Sequence, residues 1–308
     1  MLSRAATTLR LLVGAARHAH HSSTPAQATT PPLEPRGKAA LVTGGAAGLG
    51  AAVSKALVSA GAKVAVVDVD AAAGSRLVQG LRAAAGDGSA LFLHADVTDF
   101  ARLQDAFEMA KGTFNGLDIV INNAGVGNDV EWQREIDINL KGVVGGTLLG
   151  LRLATRGARV LNVASVAALG AFSCAPVYTA TKHAVVALTR CYGAAEHTEK
   201  TGVSVVAVCP GPCDTTLLEN VGRHLPEAWQ AEQFYSLVQQ FGVSRISRRR
   251  RYWMPLDSSS RVNVHCHTMR QPPLHRYRSH NSQLHRLLGP TTRRTNRGRN
   301  GPASLPFI

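Results

Sequence analysis

Long apolar runs are missing from this chain: nothing in its 308 residues approaches the roughly eighteen uncharged apolar residues a membrane helix needs, so no membrane partner is expected. Cysteine is scarce as well. Five cysteines, irregularly spaced, are too few to frame a disulfide scaffold in a chain of this length. Cys209 and Cys213 lie four apart without a second metal-binding pair, and His265, Cys266 and His267 are adjacent positions that rarely converge on one ion, so no metal site is expected. Cys174, Cys191 and Cys209 are read as small buried hydrophobes in a reducing compartment.

Acid is also absent where it matters most. The net charge of +14 suggests nucleic acid at first sight, but residues 243–308 hold 14 Arg, no Lys and the single acid Asp257. Subtracting these from the 34 basic and 20 acidic residues of the whole leaves 20 and 19 for residues 1–242, a nearly neutral body. Aromatic residues are sparse among those arginines (Tyr252, Trp253, Tyr277), which argues against base stacking and against a nucleic-acid partner. The first 33 residues contain no acid at all. They carry Arg4, Arg10 and Arg17, with Leu2, Leu9, Leu12 and Val13 mostly on the opposite side of a helical wheel, the pattern of a mitochondrial transit peptide. Arg10 and Arg17 leave too short an apolar stretch between them for a secretory signal. Residues 1–35 are therefore expected to be a targeting leader of a mitochondrial protein; an unread leader before a cytoplasmic enzyme is the alternative.

What the chain has in abundance, from residue 36 to 242, is alternation. Short apolar, β-rich runs stand at Ala39–Val42, Val64–Val67, Ala90–Leu93, Ile119–Ile121, Val160–Val163 and Val203–Val208. Near-continuous apolar runs fit parallel strands buried on both faces. Segments of helical spacing separate them: Val53, Leu57 and Ala60 in one, and Phe100, Leu103, Phe107, Ala110 and Phe114 in another, with Thr98 as its expected N-cap. This pattern predicts an α/β fold, a doubly wound parallel (Rossmann) sheet with right-handed crossovers.

The first run passes directly into Thr43-Gly44-Gly45-Ala46-Ala47-Gly48-Leu49-Gly50, and a helix follows. Glycines in that position let the backbone turn tightly and approach a pyrophosphate at the helix N-terminus. Asp68 closes the second run, 18 residues past Gly50, where a carboxylate accepts hydrogen bonds from ribose hydroxyls and repels a 2′-phosphate. No Arg or Lys in the glycine loop or just after Asp68 offsets that repulsion, so the expected cofactor is NAD.

Farther along stand Asn122-Asn123-Ala124-Gly125, then Asn139 in Ile138-Asn139-Leu140-Lys141-Gly142. Ser165 ends the fifth run, 13 residues before Tyr178 of Tyr178-Thr179-Ala180-Thr181-Lys182, and Pro210-Gly211-Pro212-Cys213-Asp214-Thr215 follows. In order and spacing these motifs, with T-G-x-x-x-G-x-G before them, resemble the short-chain dehydrogenase/reductase family over residues 37 to about 242. The resemblance implies NAD-dependent alcohol oxidation. Tyr178 is then the general acid/base, Ser165 the donor to the substrate oxygen, Lys182 the ligand of the nicotinamide ribose and Asn139 the holder of a relay water. It also implies cofactor contacts at Gly44, Gly48, Leu49, Gly50, Asp68, Asp96, Val97, Asn123, Ala124, Gly125, Pro210, Gly211 and Thr215, besides Tyr178 and Lys182.

Elementary electrostatics supports the pair. Residues four apart on a helix share a face. A cation about 4 Å away, at an effective dielectric near 20, is worth roughly 4 kcal/mol, or about three pKa units, so Lys182 is expected to bring Tyr178 toward neutrality. Within the family, the 13 residues between Gly125 and Asn139 and the run Asn-Leu-Lys-Gly-Val-Val-Gly-Gly-Thr-Leu-Leu look most like the 15-hydroxyprostaglandin dehydrogenase and insect alcohol-dehydrogenase-like branch. Two departures stand out: Ala175 replaces that branch's substrate-holding glutamine, and the stretch from Leu151 to Val160 is short. A secondary alcohol or ketone, hydroxy-lipid or prostaglandin-like, is the expected substrate.

After residue 242 the alternation stops. Arg, His, Ser, Thr, Pro and Asn dominate residues 243–308, too polar to offset their ordering entropy, so a disordered basic tail is expected. The resemblance implies a further helix, a seventh strand and a homodimer; no strand candidate stands here, which puts both the last strand and the dimer in question. Three readings follow: an NAD-dependent alcohol dehydrogenase, a catalytically inactive relative with a truncated sheet, and a binder of anionic partners through its arginines. NADH production separates the first two, and salt-dependent binding that vanishes on truncation at residue 242 would mark the third.

Overall fold

A computed structural model of the chain describes residues 34–213 and 215–240. The leader, the arginine-rich tail and the question of a seventh strand therefore lie outside the described residues. Six strands form one parallel sheet: β1 (Ala39–Thr43), β2 (Lys63–Asp68), β3 (Ala90–His94), β4 (Ile119–Asn122), β5 (Arg159–Val163) and β6 (Ser204–Val208). Each expected run became a strand within a residue or two of its bounds. Their spatial order is β3-β2-β1-β4-β5-β6. The chain winds outward from β1 to β3, crosses to the far side of β1, and winds outward again to β6. That reversal opens a crevice at the carboxyl ends of β1 and β4, where Thr43 pairs with Asn122.

Nine α-helices stand among the described residues: α1 (Gly48–Ser59), α2 (Ala71–Ala85), α3 (Phe100–Phe114), α4 (Trp132–Ile136), α5 (Gly142–Leu153), α6 (Pro176–Tyr192), α7 (Ala195–Thr201), α8 (Thr216–Val221) and α9 (Ala228–Gln240). A five-residue π turn, Asp137–Lys141, joins α4 to α5. The strand period of two divides the core. Ala40, Val42, Val64, Val66, Ile119 and Ile121 face Val53 and Leu57 of α1 and Leu81 of α2. Leu41, Ala65, Val67, Val120 and Val160 face Leu103 and Phe107 of α3 and Leu149 of α5. Fully burying each large apolar side chain is worth about 1.5–3 kcal/mol, so both layers are held by the same alternation that defines the strands.

A polar network crosses this core and aims α6. Asn122 of β4 donates to Asn162 Oδ1 of β5 at 2.8 Å, Thr147 of α5 donates to the same oxygen at 3.2 Å, and Asn162 donates to Thr189 of α6 at 3.0 Å. Such buried polar atoms hold a unique arrangement because each needs its partner.

Two expectations are corrected. Asp99, not Thr98, caps α3, accepting the Arg102 amide at 3.1 Å. Thr98 is engaged elsewhere: Asp96 Oδ1 takes both its amide and its hydroxyl at 2.9 Å. Of the cysteines read as buried, Cys174 is buried, Cys209 is half-buried and Cys191 is exposed near the end of α6. No helix among the described residues is long and apolar enough to cross a membrane, and no cluster of metal-ligating side chains occurs among them.

Candidate active site

One elongated cavity of about 420 Å³ occupies the crevice. Gly44, Gly48, Leu49, Asp68, Asp96, Val97, Asn123, Ala124, Gly125, Ser165, Tyr178, Lys182, Pro210, Gly211 and Thr215 all line it. Of the expected site residues, Gly50 and Asn139 stand just behind the wall.

At one end the cavity is made of backbone. Gly44 has φ +58°, and a Cβ there would sit 2.8 Å from Ala124 Cα; a Cβ on Gly50 would collide with the Gly44 carbonyl. Only glycine permits this turn. Asn123 fastens it, donating from Nδ2 to the carbonyls of Thr43 and Gly44 at 3.0 Å. Asp68 fastens it from the other side, accepting the Ala46 amide at 2.9 Å and the Asp70 amide at 3.1 Å. The helix that follows has no side-chain cap and no acid in its first turn, whereas α2 and α3 are capped by Asp70 and Asp99. An uncapped N-terminus behind a glycine turn leaves its amides and dipole for an anion, and a dinucleotide pyrophosphate fits that cradle.

At the other end the cavity is made of side chains. Pro176 starts α6, and Asp129 accepts the amides of Val177 and Tyr178 at 2.9 and 3.2 Å, placing a carboxylate at the helix N-terminus. Tyr178 thereby faces Ser165 in the cavity, and the Ser165 hydroxyl acts on its phenol to favour the ionised form. One turn on, Lys182 is buried, its Nζ 5.6 Å from the Tyr178 ring centre and donating to the Val163 carbonyl at 3.1 Å. Asn139, also buried, sits on the π turn and spans the Val126 backbone, taking its amide and giving to its carbonyl, both at 2.8 Å.

Loss of water dominates the electrostatics. It pushes Tyr178 up to about 12, against the hydrogen bond from Ser165, and pushes Lys182 down to about 8, against the attraction of Glu135 and Cys209. The expectation that Lys182 brings the free phenol toward neutrality is thus reversed: burial outweighs every attraction at the phenol, and the Lys182 Nζ stands 5.6 Å from the ring centre. The phenol is the resting form.

Two residues escaped the sequence reading. Asp129, which accepts the first amides of α6, and Glu135, fully buried beside it, both come from the stretch between Gly125 and Asn139. Glu135 lies one helical turn before Asn139, and that spacing was the available signal. Beyond Tyr178 the wall turns apolar, with Phe172, Ala175, Leu217, Val221, Phe234 and Leu237.

The family model described as short chain dehydrogenase matches residues 38–226. The 15-hydroxyprostaglandin dehydrogenase (NAD(+)) of Mus musculus is 40% identical over 218 residues, covering 67% of this chain and 80% of that protein. The 3-alpha-(or 20-beta)-hydroxysteroid dehydrogenase of Mycobacterium tuberculosis is 35% identical over 194 residues, covering 59% and 72%. A solved structure of a short chain dehydrogenase/reductase from Burkholderia phymatum in complex with NAD superposes with a TM-score of 0.60 at 28% identity, over 67% of this chain and 81% of that one. Because the matched residues run through every described strand and through Asn139, Ser165, Tyr178 and Lys182, from β1 to α8, the chain belongs to the short-chain dehydrogenase family.

Proposed function

We propose that this chain is an NAD-dependent dehydrogenase of bulky apolar secondary alcohols, with Tyr178 moving the proton. Membership of the family makes it an oxidoreductase of hydroxyl and carbonyl groups. The observation that carries the finer reading is the single cavity in which Ser165, Tyr178 and Lys182 stand between a glycine cradle and an apolar wall. Asp68, at the rim of the cradle, favours ribose hydroxyls over a 2′-phosphate, and no cation stands in the turn to reverse that preference.

Each side chain has a task in that geometry. Ser165 donates to the substrate oxygen and holds it beside the Tyr178 phenol. Tyr178 takes the hydroxyl proton in oxidation and returns it in reduction. Lys182, pinned by Val163, reaches toward the cofactor ribose and stabilises the phenolate once it forms. NAD, when bound, accepts the carbinol hydride and adds a positive ring that lowers the cost of that phenolate. Since Tyr178 rests as the phenol, alcohol oxidation should rise with pH. Phe172, Ala175, Leu217 and Phe234 offer no polar arm, which selects apolar chains on either side of the carbinol.

The test is a panel of apolar and polar secondary alcohols offered to the purified chain with NAD or NADP, followed by NADH absorbance. The expected result is turnover with NAD and apolar alcohols; NADP preference, or NAD binding without turnover of any alcohol, would overturn the reading. The acid-free residues 1–33 support a separate proposal, import into mitochondria. A C-terminally tagged chain should then co-localise with mitochondria and lose that location when residues 1–33 are removed, whereas unchanged location would refute it.

A further inference from the structure

The carboxylate at the N-terminus of α6 has a second acid beside it. Asp129 is buried and turns both oxygens to α6, Oδ2 taking the Val177 amide and Oδ1 the Tyr178 amide. Glu135 is fully buried, and its Oε1 accepts at 3.1 Å the amide of Asn128, the residue before Asp129. The Asn128 side chain accepts the Glu131 amide at 3.1 Å, so the turn that carries Asp129 is tied at both ends. Glu135 Oε2 meets no donor. Among the described residues no cation forms an ion pair with either carboxyl. A buried carboxyl oxygen that no donor reaches calls for a reason, and the chemistry at Tyr178 and Ser165 does not use it.

One proton resolves the arrangement. An ionised carboxylate offers about four lone-pair sites, and α6 occupies two of those on Asp129, which leaves room for an O–H. Glu135 supplies that O–H when it is protonated. The charge belongs on Asp129, because a helix N-terminus favours negative charge, and the proton belongs on Glu135. Burial pushes Glu135 up to about 8; the Asn128 amide opposes this, the Asp129 charge and side-chain hydrogen bond add to it, and Lys182 opposes it.

We propose that Glu135 is a positioning residue: its carboxyl O–H, donated to Asp129, holds Asp129 on the first amides of α6 and so keeps Tyr178 in place. Glu135 does not line the catalytic cavity; it acts through Asp129. Loss of the proton sets two carboxylates side by side, and their repulsion loosens Asp129 from Val177 and Tyr178. The kinetic part of the test rests on the dehydrogenase reading, whereas the hold on α6 does not. The charged and titratable groups facing the pair are Tyr178 and Lys182 on α6, Cys174 just before it, and Glu131, Arg134 and His224 around a second cavity that Glu135 lines.

Glu135→Gln tests the latch, because a glutamine amide keeps a donor for Asp129 and an acceptor for Asn128 at every pH. Its kcat for alcohol oxidation should match the wild-type chain at pH 7. At pH 9 the wild-type chain keeps the proton on about one Glu135 in ten, so the variant should be about tenfold faster there. Glu135→Met keeps the length but lacks the donor, and should be slower than the wild-type chain at pH 7. Hydrogen exchange separates a loosened helix from a change of charge alone. Protection of the Val177 and Tyr178 amides should fall about tenfold in the wild-type chain from pH 7 to pH 9, and hold constant in Glu135→Gln.

Parallel pH profiles of the wild-type chain and Glu135→Gln would overturn the latch. So would a kinetic gain at pH 9 with unchanged protection, or a Glu135→Met chain as fast as Glu135→Gln. Protection that follows Glu135 in a chain that oxidises no alcohol would refute the dehydrogenase reading and uphold the latch. An active chain whose Val177 and Tyr178 amides ignore Glu135→Gln would refute the latch alone.

Discussion

The two ends of the cavity are built by different means. The cradle end consists of turns and amides: Gly44, Gly48 and Gly50, fastened by Asn123 and Asp68 through hydrogen bonds to backbone. The tyrosine end consists of buried side chains, Asn139, Lys182 and Glu135, whose charges are set by how little water reaches them. A backbone cradle offers fixed dipoles to any dinucleotide. A buried side-chain cluster is costly to assemble, and that cost is what moves its proton affinities toward working pH.

The sharpest way to break this contrast is Tyr178→Phe. Removing the hydroxyl to which the proposed function assigns the proton should lower kcat by about 10²–10⁴-fold and leave dinucleotide affinity nearly intact, measured by NADH production and cofactor fluorescence. A parallel loss of both would mean that the two ends are not separate.

Next in size is the pH dependence of stability. Folding raises Glu135 from its ordinary 4.5 to about 8, so its contribution is fully present below about pH 4.5 and is lost as pH rises toward 8. Across that window stability should fall by on the order of 1.4 kcal/mol per pH unit from this group, and urea midpoints of Glu135→Gln should lack that component of the slope.

Asp68→Ala tests the cradle. Hydrogen bonds to a charged acceptor are worth about 1.5–3 kcal/mol, so the preference for NAD over NADP should narrow by about 10- to 100-fold while turnover at saturating NAD changes little. The smallest effect belongs to neither end: Asp99→Ala should cost about 1 kcal/mol of stability by uncapping α3, with kinetics unchanged.

How legible each part was follows from where its cause lies. The strands could be read because apolar residues are neighbours along the chain in runs such as Val64–Val67 and Val160–Val163, as central parallel strands require. The cradle could be read because its geometry depends on Gly44, Gly48, Gly50 and Asp68 within 25 residues of sequence. The cap of α3 was misplaced by one residue because Thr98 and Asp99 both suit that position, and only the folded turn shows that Asp96 has engaged Thr98. Glu135 and Asp129 escape the sequence reading because acids in a stretch such as Asp129-Val130-Glu131-Trp132-Gln133-Arg134-Glu135 ordinarily mark a solvated face, and the four-residue step from Glu135 to Asn139 does not stand out against that.

By itself the sequence determined the doubly wound sheet, the family and the pairing of Tyr178 with Lys182 on one helix face, because hydrophobic period and motif spacing are properties of the chain's own order. Only the tertiary structure decided the state of that pair. Whether Tyr178 rests as phenol or phenolate, and whether Glu135 keeps a proton, depend on water excluded by Asn139, Val163, Lys182 and the turn after β4, which lie scattered along the chain. Desolvation is a property of the packed volume, and no spacing in the sequence encodes it.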